Sequence, residues 1–228
     1  TDLFTASLVK RTPLLFVINE AFTDAPALRG RHAVFTPPPV DHRQFSPQGE
    51  HARALYRFNR KVVTIIGKVA PGRGFEEALT TFAALRRLRN DVQMMIIGHG
   101  PHRPALEALA ATLGITNDVT WAGYHEDDLA EHYRASNLLL FTARGSDEGH
   151  RAVLEAMACG VPVVAYPIEG VAALIGPERV AASASPEALA ALASRVIDAP
   201  GPVYERSLGF SYETAAARLL EAYAPAST

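Results

Sequence analysis

From residue 62 onward, apolar runs of strand length alternate with amphipathic runs of helix length, which leaves few folds open to the chain. Val62-Val63-Thr64-Ile65-Ile66 reads as a first strand, apolar on both faces and so buried on both. Phe75 to Leu88 then sets Phe75, Leu79, Phe82, Leu85 and Leu88 at helical spacing and leaves Glu76, Glu77, Arg86, Arg87 and Arg89 to the opposite face. The pattern repeats: strands at Val92 to Ile97, at Val119 to Ala122 closed by Gly123, at Leu138 to Phe141 and at Val161 to Ala165. Helices are predicted at Pro104 to Leu113, Asp127 to Ala135, up to Ala158 ahead of Gly160, and at Pro186 to Val196 behind a Ser185 cap. Such βαβ units build a doubly wound parallel sheet of the α/β class.

The two ends depart from this rhythm. Leu14 to Ile18 and His32 to Phe35 look like strands, but the crossover between them is too short for a full unit, so they read as the remnant of a second α/β domain. Pro37-Pro38-Pro39 and the polar run Ser46 to Glu50 make a stiff joint. The domains are accordingly set at 1–46, 47–200 and 201–228, the last carrying a helix from Tyr212 to Tyr223 with Ala216, Leu219, Leu220 and Tyr223 on one stripe. With 22 basic and 24 acidic residues, and so a net charge of −2, the chain has no global field for nucleic acid or an anionic membrane. No apolar run nears the roughly 20 residues that cross a bilayer, and the lone Cys159 fits a reducing, cytoplasmic setting and core packing. A start at Thr1 is read as the sign of a piece whose upstream sequence is missing.

Chemistry concentrates at the ends of the predicted strands, where open α/β sheets bind ligands. The loop Gly67-Lys68-Val69-Ala70-Pro71-Gly72-Arg73-Gly74 joins glycines, two cations and a helix start, which suits a diphosphate. It has neither the P-loop spacing nor the G-x-G-x-x-G fingerprint, which speaks against a simple ATPase or dehydrogenase. Gly98-His99-Gly100 and Gly123-Tyr124 follow the next two strands and are candidates to hold a nucleobase and ribose. In Asp147-Glu148-Gly149-His150-Arg151, Asp147 lies in a loop and Glu155, eight residues on, about one turn inside a helix, so that both acids face one crevice and accept from sugar hydroxyls. A plainer alternative pairs Glu155 with Arg151 on an exposed helix face. The eight histidines give no metal set: His99 and His102 bracket a Gly-Pro turn, and His125 and His132 stand seven apart with no carboxylate cluster to complete a tetrahedron.

These motifs, in this order, resemble the donor-binding C-terminal half of GT-B retaining glycosyltransferases, family 4 above all. The likeness runs from about residue 34 to 223 through Ile66 to Gly74, Ile96-Ile97-Gly98-His99-Gly100-Pro101, Trp121-Ala122-Gly123 and Leu154 to Val164, with Pro38-Pro39-Val40-Asp41 and Phe45 similar to the interdomain linker. The resemblance implies a Rossmann-like domain that binds a nucleoside-diphosphate sugar as donor, with no resident cofactor or metal, for retaining transfer to an acceptor that the sequence does not identify. Lys68 and Arg73 take the family's two diphosphate-binding positions with the cations exchanged. Of the family's two glutamates, Glu155 matches the one on the ribose; the one near the transferred sugar falls on Asp147, or on Glu148 if one residue is gapped. Gly149, His150 and Arg151 stand where Gly-Phe-Gly is usual. The first strands then resemble the closing piece of an acceptor domain whose remainder acts in cis or in trans, and the last helix the one that crosses back onto it. Two other readings stay open: a non-catalytic nucleotide-binding or regulatory module, and a GT-B nucleotide-sugar epimerase.

Overall fold

A computed structural model describes residues 14–18, 28, 32–143 and 148–223. Its main body is a parallel sheet of five strands, β3 (Lys61–Ile66), β4 (Val92–Ile97), β5 (Val119–Gly123), β6 (Leu138–Phe141) and β7 (Val163–Ala165), in the spatial order β5-β4-β3-β6-β7. The helices are α1 (Phe75–Leu88), α2 (Arg103–Thr112), α3 (Leu129–Ala135), α4 (Glu148–Ala158), α5 (Val171–Ile175), α6 (Pro186–Val196), α7 (Val203–Ser207) and α8 (Tyr212–Tyr223). The chain starts in the middle at β3, winds outward through β4 and β5, and returns to β3's other side as β6. That reversal opens a crevice beyond the carboxyl ends of β3 and β6, the usual ligand position in such sheets.

Strand residues alternate between two cores, as burial on both faces requires. Val63, Ile65, Met94, Ile96, Leu138 and Leu140 pack with Phe75, Leu79, Phe82 and Leu85 of α1 and with Leu189, Ala190 and Ala193 of α6. On the other face, Leu139, Phe141, Val163 and Ala165 pack with Val153, Leu154 and Met157 of α4, while Val62, Met95 and Ile97 meet Ala52 and Ala135. Polar atoms on this second face are paired, Thr64 with Ser136 at 2.6 Å and the Val62 N–H with Asn137 at 2.8 Å.

Element ends differ from the sequence reading for local reasons. The strand predicted from Val161 starts at Val163, because the Val161 N–H closes the preceding helix on the Ala156 carbonyl at 2.9 Å and Pro162 has no N–H to give. The helix predicted from Asp127 starts at Leu129: Asp128 is its cap residue and spends its carboxylate on His125 at 2.9 Å. Ser185 caps α6 as expected, accepting from the Ala188 N–H at 3.2 Å. The short helices α5 and α7 are absent from the sequence reading.

At the N-terminal end, β1 (Leu14–Val17) and β2 (His32–Phe35) form a separate parallel pair, and the crossover inferred to be short lies, apart from Ile18 and Leu28, outside the described residues. α8 meets this pair, with the Phe16 and Tyr223 rings 5.8 Å apart. The joint after β2 is fixed to the main body at several points. The Val40 N–H donates to the Phe210 carbonyl at 2.9 Å, Phe45 is buried 6.0 Å from the Tyr133 ring, and Arg53 donates to the Ala135 carbonyl at 2.9 Å.

Candidate functional site

Three loops are laced together past the ends of β3, β4 and β5. The Gly67 N–H donates to the Ile97 carbonyl at 3.1 Å, the Val69 N–H to the His99 carbonyl at 3.0 Å, and the Gly98 N–H to the Gly123 carbonyl at 2.6 Å. A Cβ on Gly98 would stand 1.9 Å from the Gly67 oxygen, and one on Gly100 would stand 2.0 Å from the Val69 oxygen. Gly98 and Gly100 are thus demanded by the neighbouring backbone, a reason apart from the approach of a ligand. On the other flank, Thr142 Oγ1 donates to the Gly74 carbonyl at 2.7 Å, and a Cβ on Gly74 would lie 2.5 Å from the Thr142 carbonyl carbon. With φ at +83°, Gly74 caps α1 and seats its N-terminus on the segment leaving β6. Sequence reasoning missed Thr142, whose partner is a backbone atom 68 residues away.

A cleft of about 880 Å³ opens above these loops. Of the candidates named from the sequence, Gly67, Lys68, Gly98, His99, Gly100, Tyr124, Arg151 and Glu155 line it. The remaining candidates sit elsewhere. Arg73 is half-buried one residue ahead of the α1 cap, Gly74 is buried beneath Thr142, and Gly123 serves as acceptor for Gly98. His150 is 2% exposed and its ring is 6.0 Å from Phe141. Glu148 and Gly149 open α4, and Asp147 lies outside the described residues.

Glu155 is the electrostatic centre of the cleft. Because α4 begins at Glu148, Glu155 stands about two turns inside it rather than one, and only 7% of it is exposed. The Tyr133 hydroxyl donates to Oε2 at 3.1 Å and Arg151 Nε to Oε1 at 3.0 Å. The pairing with Arg151 is therefore real, and it joins an exposed Arg151 to a buried Glu155 at the cleft wall. Burial pushes the Glu155 carboxyl above its usual range, against the opposing pull of Tyr133 and Arg151. The Tyr133 hydroxyl is itself driven well above its usual value, by burial first and then by the Glu155 charge. An ionised carboxylate accepts about four hydrogen bonds, so roughly two positions remain for hydroxyls entering from the cleft. Tyr133 carries no signal in the sequence beyond the apolar face of α3.

The far wall is aromatic and acidic. Tyr124 stands edge-on to His99, ring centroids 5.4 Å apart at 90°, and its hydroxyl donates to Glu126 at 2.9 Å. Behind it, Tyr56 bonds His132 at 2.9 Å and His125 at 3.2 Å, while the two imidazoles stack at 3.6 Å. His125, Asp128 and His132 bring one potential ligand atom each within 4.8 Å of one another, a grouping that the sequence reading, which found no carboxylate to join the two histidines, did not name. All four imidazole nitrogens already have partners, Asp128, Ala122, Tyr56 and the Asp128 carbonyl, so the group works as a brace behind the cleft. Cys159 is buried and its thiol is pushed up to about 12, chiefly by burial, which leaves it inert packing.

Residues 60–199, which contain the whole five-stranded sheet and both walls of the cleft, match the family model described as Glycosyl transferases group 1. The chain belongs to that family. Among relatives of this group 1 chain, the 2-deoxystreptamine glucosyltransferase of Streptomyces kanamyceticus is 32% identical over 146 residues, 62% of this chain and 38% of the relative. The GDP-mannose-dependent alpha-(1-6)-phosphatidylinositol monomannoside mannosyltransferase of Mycolicibacterium smegmatis is 34% identical over 140 residues, 57% of this chain and 37% of that protein. The matches thus span under two-fifths of either relative. HepE of Anabaena, solved with UDP and glucose, superposes with a TM-score of 0.78 at 19% identity, over 96% of this chain and 65% of that one. The sucrose-phosphate synthase of Thermosynechococcus elongatus gives 0.78 at 21% identity, over 96% and 59%. This likeness establishes the fold as the GT-B type.

Proposed function

We propose that this chain is the donor-binding half of a retaining family 4 glycosyltransferase, which holds a nucleoside-diphosphate sugar for transfer to an acceptor. The observation that carries the reading is the meeting, in one cleft of about 880 Å³, of Lys68 from the glycine-rich loop with the buried Glu155 carboxylate. The relatives' names support a nucleotide-sugar donor: one is called GDP-mannose-dependent, and HepE was solved with UDP and glucose.

In this reading the diphosphate lies against residues 67–74, where Lys68, Arg73 and the N-terminus of α1 offset the negative charge that grows on it as the glycosidic bond breaks. Binding that strengthens as the bond breaks accelerates the step, whereas equal binding before and after does not. Glu155 takes the ribose hydroxyls, and either Asp147, outside the described residues, or Glu148, the first residue of α4, takes the sugar ring. Lys68→Ala and Arg73→Ala are each expected to weaken nucleoside-diphosphate binding by about ten- to hundredfold in calorimetry, since a hydrogen bond to a charged group contributes about 1.5–3 kcal/mol. Equal affinity in the wild type and the double variant rules the reading out.

A further inference from the structure

We infer that the cleft selects guanine as the donor base, with the Asp127 carboxylate as the specificity-determining group and Glu126 as its neighbour. The inference rests on the donor-cleft reading above and adds the base to it. Tyr124 is 61% exposed although it is a large aromatic on a cleft wall, and its ring offers an open face beside His99. A flat heterocycle stacked there shares the cleft with the carboxylates of Glu126 and Asp127, both exposed and both lining it.

The two acids are not equivalent. Glu126 is tied to the Tyr124 hydroxyl at 2.9 Å, which fixes its carboxylate at the outer end of the ring. Asp127 has no hydrogen-bond partner among the described residues, yet it stands close enough to act on that hydroxyl, which is raised above its usual range by the bond to Glu126 first and by the Asp127 charge as well. An ionised carboxylate only accepts hydrogen bonds. Guanine presents two adjacent donors on its pairing edge, the ring N1–H and the 2-amino group, and a carboxylate accepts both side by side as it does a guanidinium fork. Uracil presents one N–H between two carbonyl oxygens, so the same carboxylate meets lone pairs on either side of that donor. Adenine sets an acceptor nitrogen next to its amino group, and cytosine does likewise. Of these bases, guanine alone fits without setting a lone pair against the charge.

Calorimetry on the whole chain with GDP, UDP, ADP and inorganic pyrophosphate tests this. GDP is expected to bind at least about tenfold more tightly than UDP or ADP, as one extra charge-assisted contact implies. In the double variant Asp127→Asn, Glu126→Gln that ratio is expected to fall to within about threefold while pyrophosphate affinity is unchanged, because an amide donates as readily as it accepts. UDP binding as tightly as GDP to the wild type overturns the base assignment and leaves the donor cleft standing. A guanine preference that survives the double variant overturns the role of the two acids. Failure of all three nucleotides to bind overturns the donor-cleft reading itself.

Discussion

Gly98→Ala is expected to lower the melting temperature by roughly 10 °C and to abolish measurable nucleotide binding. The added methyl would stand 1.9 Å from the Gly67 oxygen, and the residue would keep a φ of +129° that L side chains rarely adopt. Relief requires the 67–74 loop to move away from β4, which breaks the Gly67 to Ile97 bond and with it the placement of Lys68. Overpacking of this kind costs about 1–3 kcal/mol and the backbone strain about 1–3 more. For a chain of this size each kcal/mol shifts the midpoint by roughly 2–4 °C. Gly72→Ala is the matched control: its φ is +73°, but nothing lies within 4 Å of the new methyl. It should cost the strain alone, roughly 3 °C, and leave binding near the wild-type value. Thermal melts with calorimetry read both, and a Gly98→Ala protein that melts within 3 °C of the wild type contradicts the packing argument.

The five strands of the main sheet were legible because burial on both faces forces near-continuous apolar runs, and no competing pattern has that length and spacing. Their ends were less so. The difference between Val161 and Val163 as a strand start turns on one N–H that closes a helix instead of a ladder, and periodicity does not register a single hydrogen bond. The cleft residues on the loops were legible through their type: glycines, a lysine and acids at strand ends have few structural uses together. What escaped was every partner contributed from elsewhere in the chain. Tyr133, Thr142 and Tyr56 reach Glu155, Gly74 and His132 across 22, 68 and 76 residues, and each reads in sequence as ordinary helix, strand-end or linker content. His150, a polar residue in the Asp147 to Arg151 motif, is buried with its ring 6.0 Å from Phe141, a placement that the sequence does not signal.

The same long-range partners tie the two sides of the crevice to one another. α1, whose start is the proposed seat of the diphosphate, has its cap held by Thr142 from beyond β6; Glu155, the proposed ribose acceptor, is held by Tyr133 from α3. Both halves of the proposed grip therefore refer back to β6, the strand at which the sheet reverses direction and the one flanked by α3 and α4. A ligand bridging Lys68 and Glu155 would clamp that reversal point, so nucleotide binding should protect it from local opening.

Glu155→Gln is expected to weaken nucleoside-diphosphate binding by about a hundredfold or more while leaving the fold as stable as the wild type, or more so, at neutral pH. The affinity loss follows from two ribose hydroxyls that lose a charged acceptor, at about 1.5–3 kcal/mol each in the intact site. The stability side follows from the raised pKa of the carboxyl, whose first cause is burial. A group that binds its proton more tightly when folded contributes stability below its unfolded value, 4.5 here, and that contribution is lost as pH rises through the higher folded value. At neutral pH the wild type has already incurred that loss, and the neutral amide never does. Urea melts from pH 4 to 7 should therefore show the advantage of Glu155→Gln growing with pH across a window that opens near 4.5. Ribose should in turn favour the ionised carboxylate, so the wild-type ratio of nucleoside-diphosphate to pyrophosphate affinity should fall on acidification through the same window, and in Glu155→Gln it should stay flat. Taking that ratio cancels the titration of the phosphates, which the two ligands share. A variant that loses stability at neutral pH, or that keeps wild-type nucleotide affinity, shows that the carboxylate is held in the cleft for Arg151 and Tyr133 and not for a sugar.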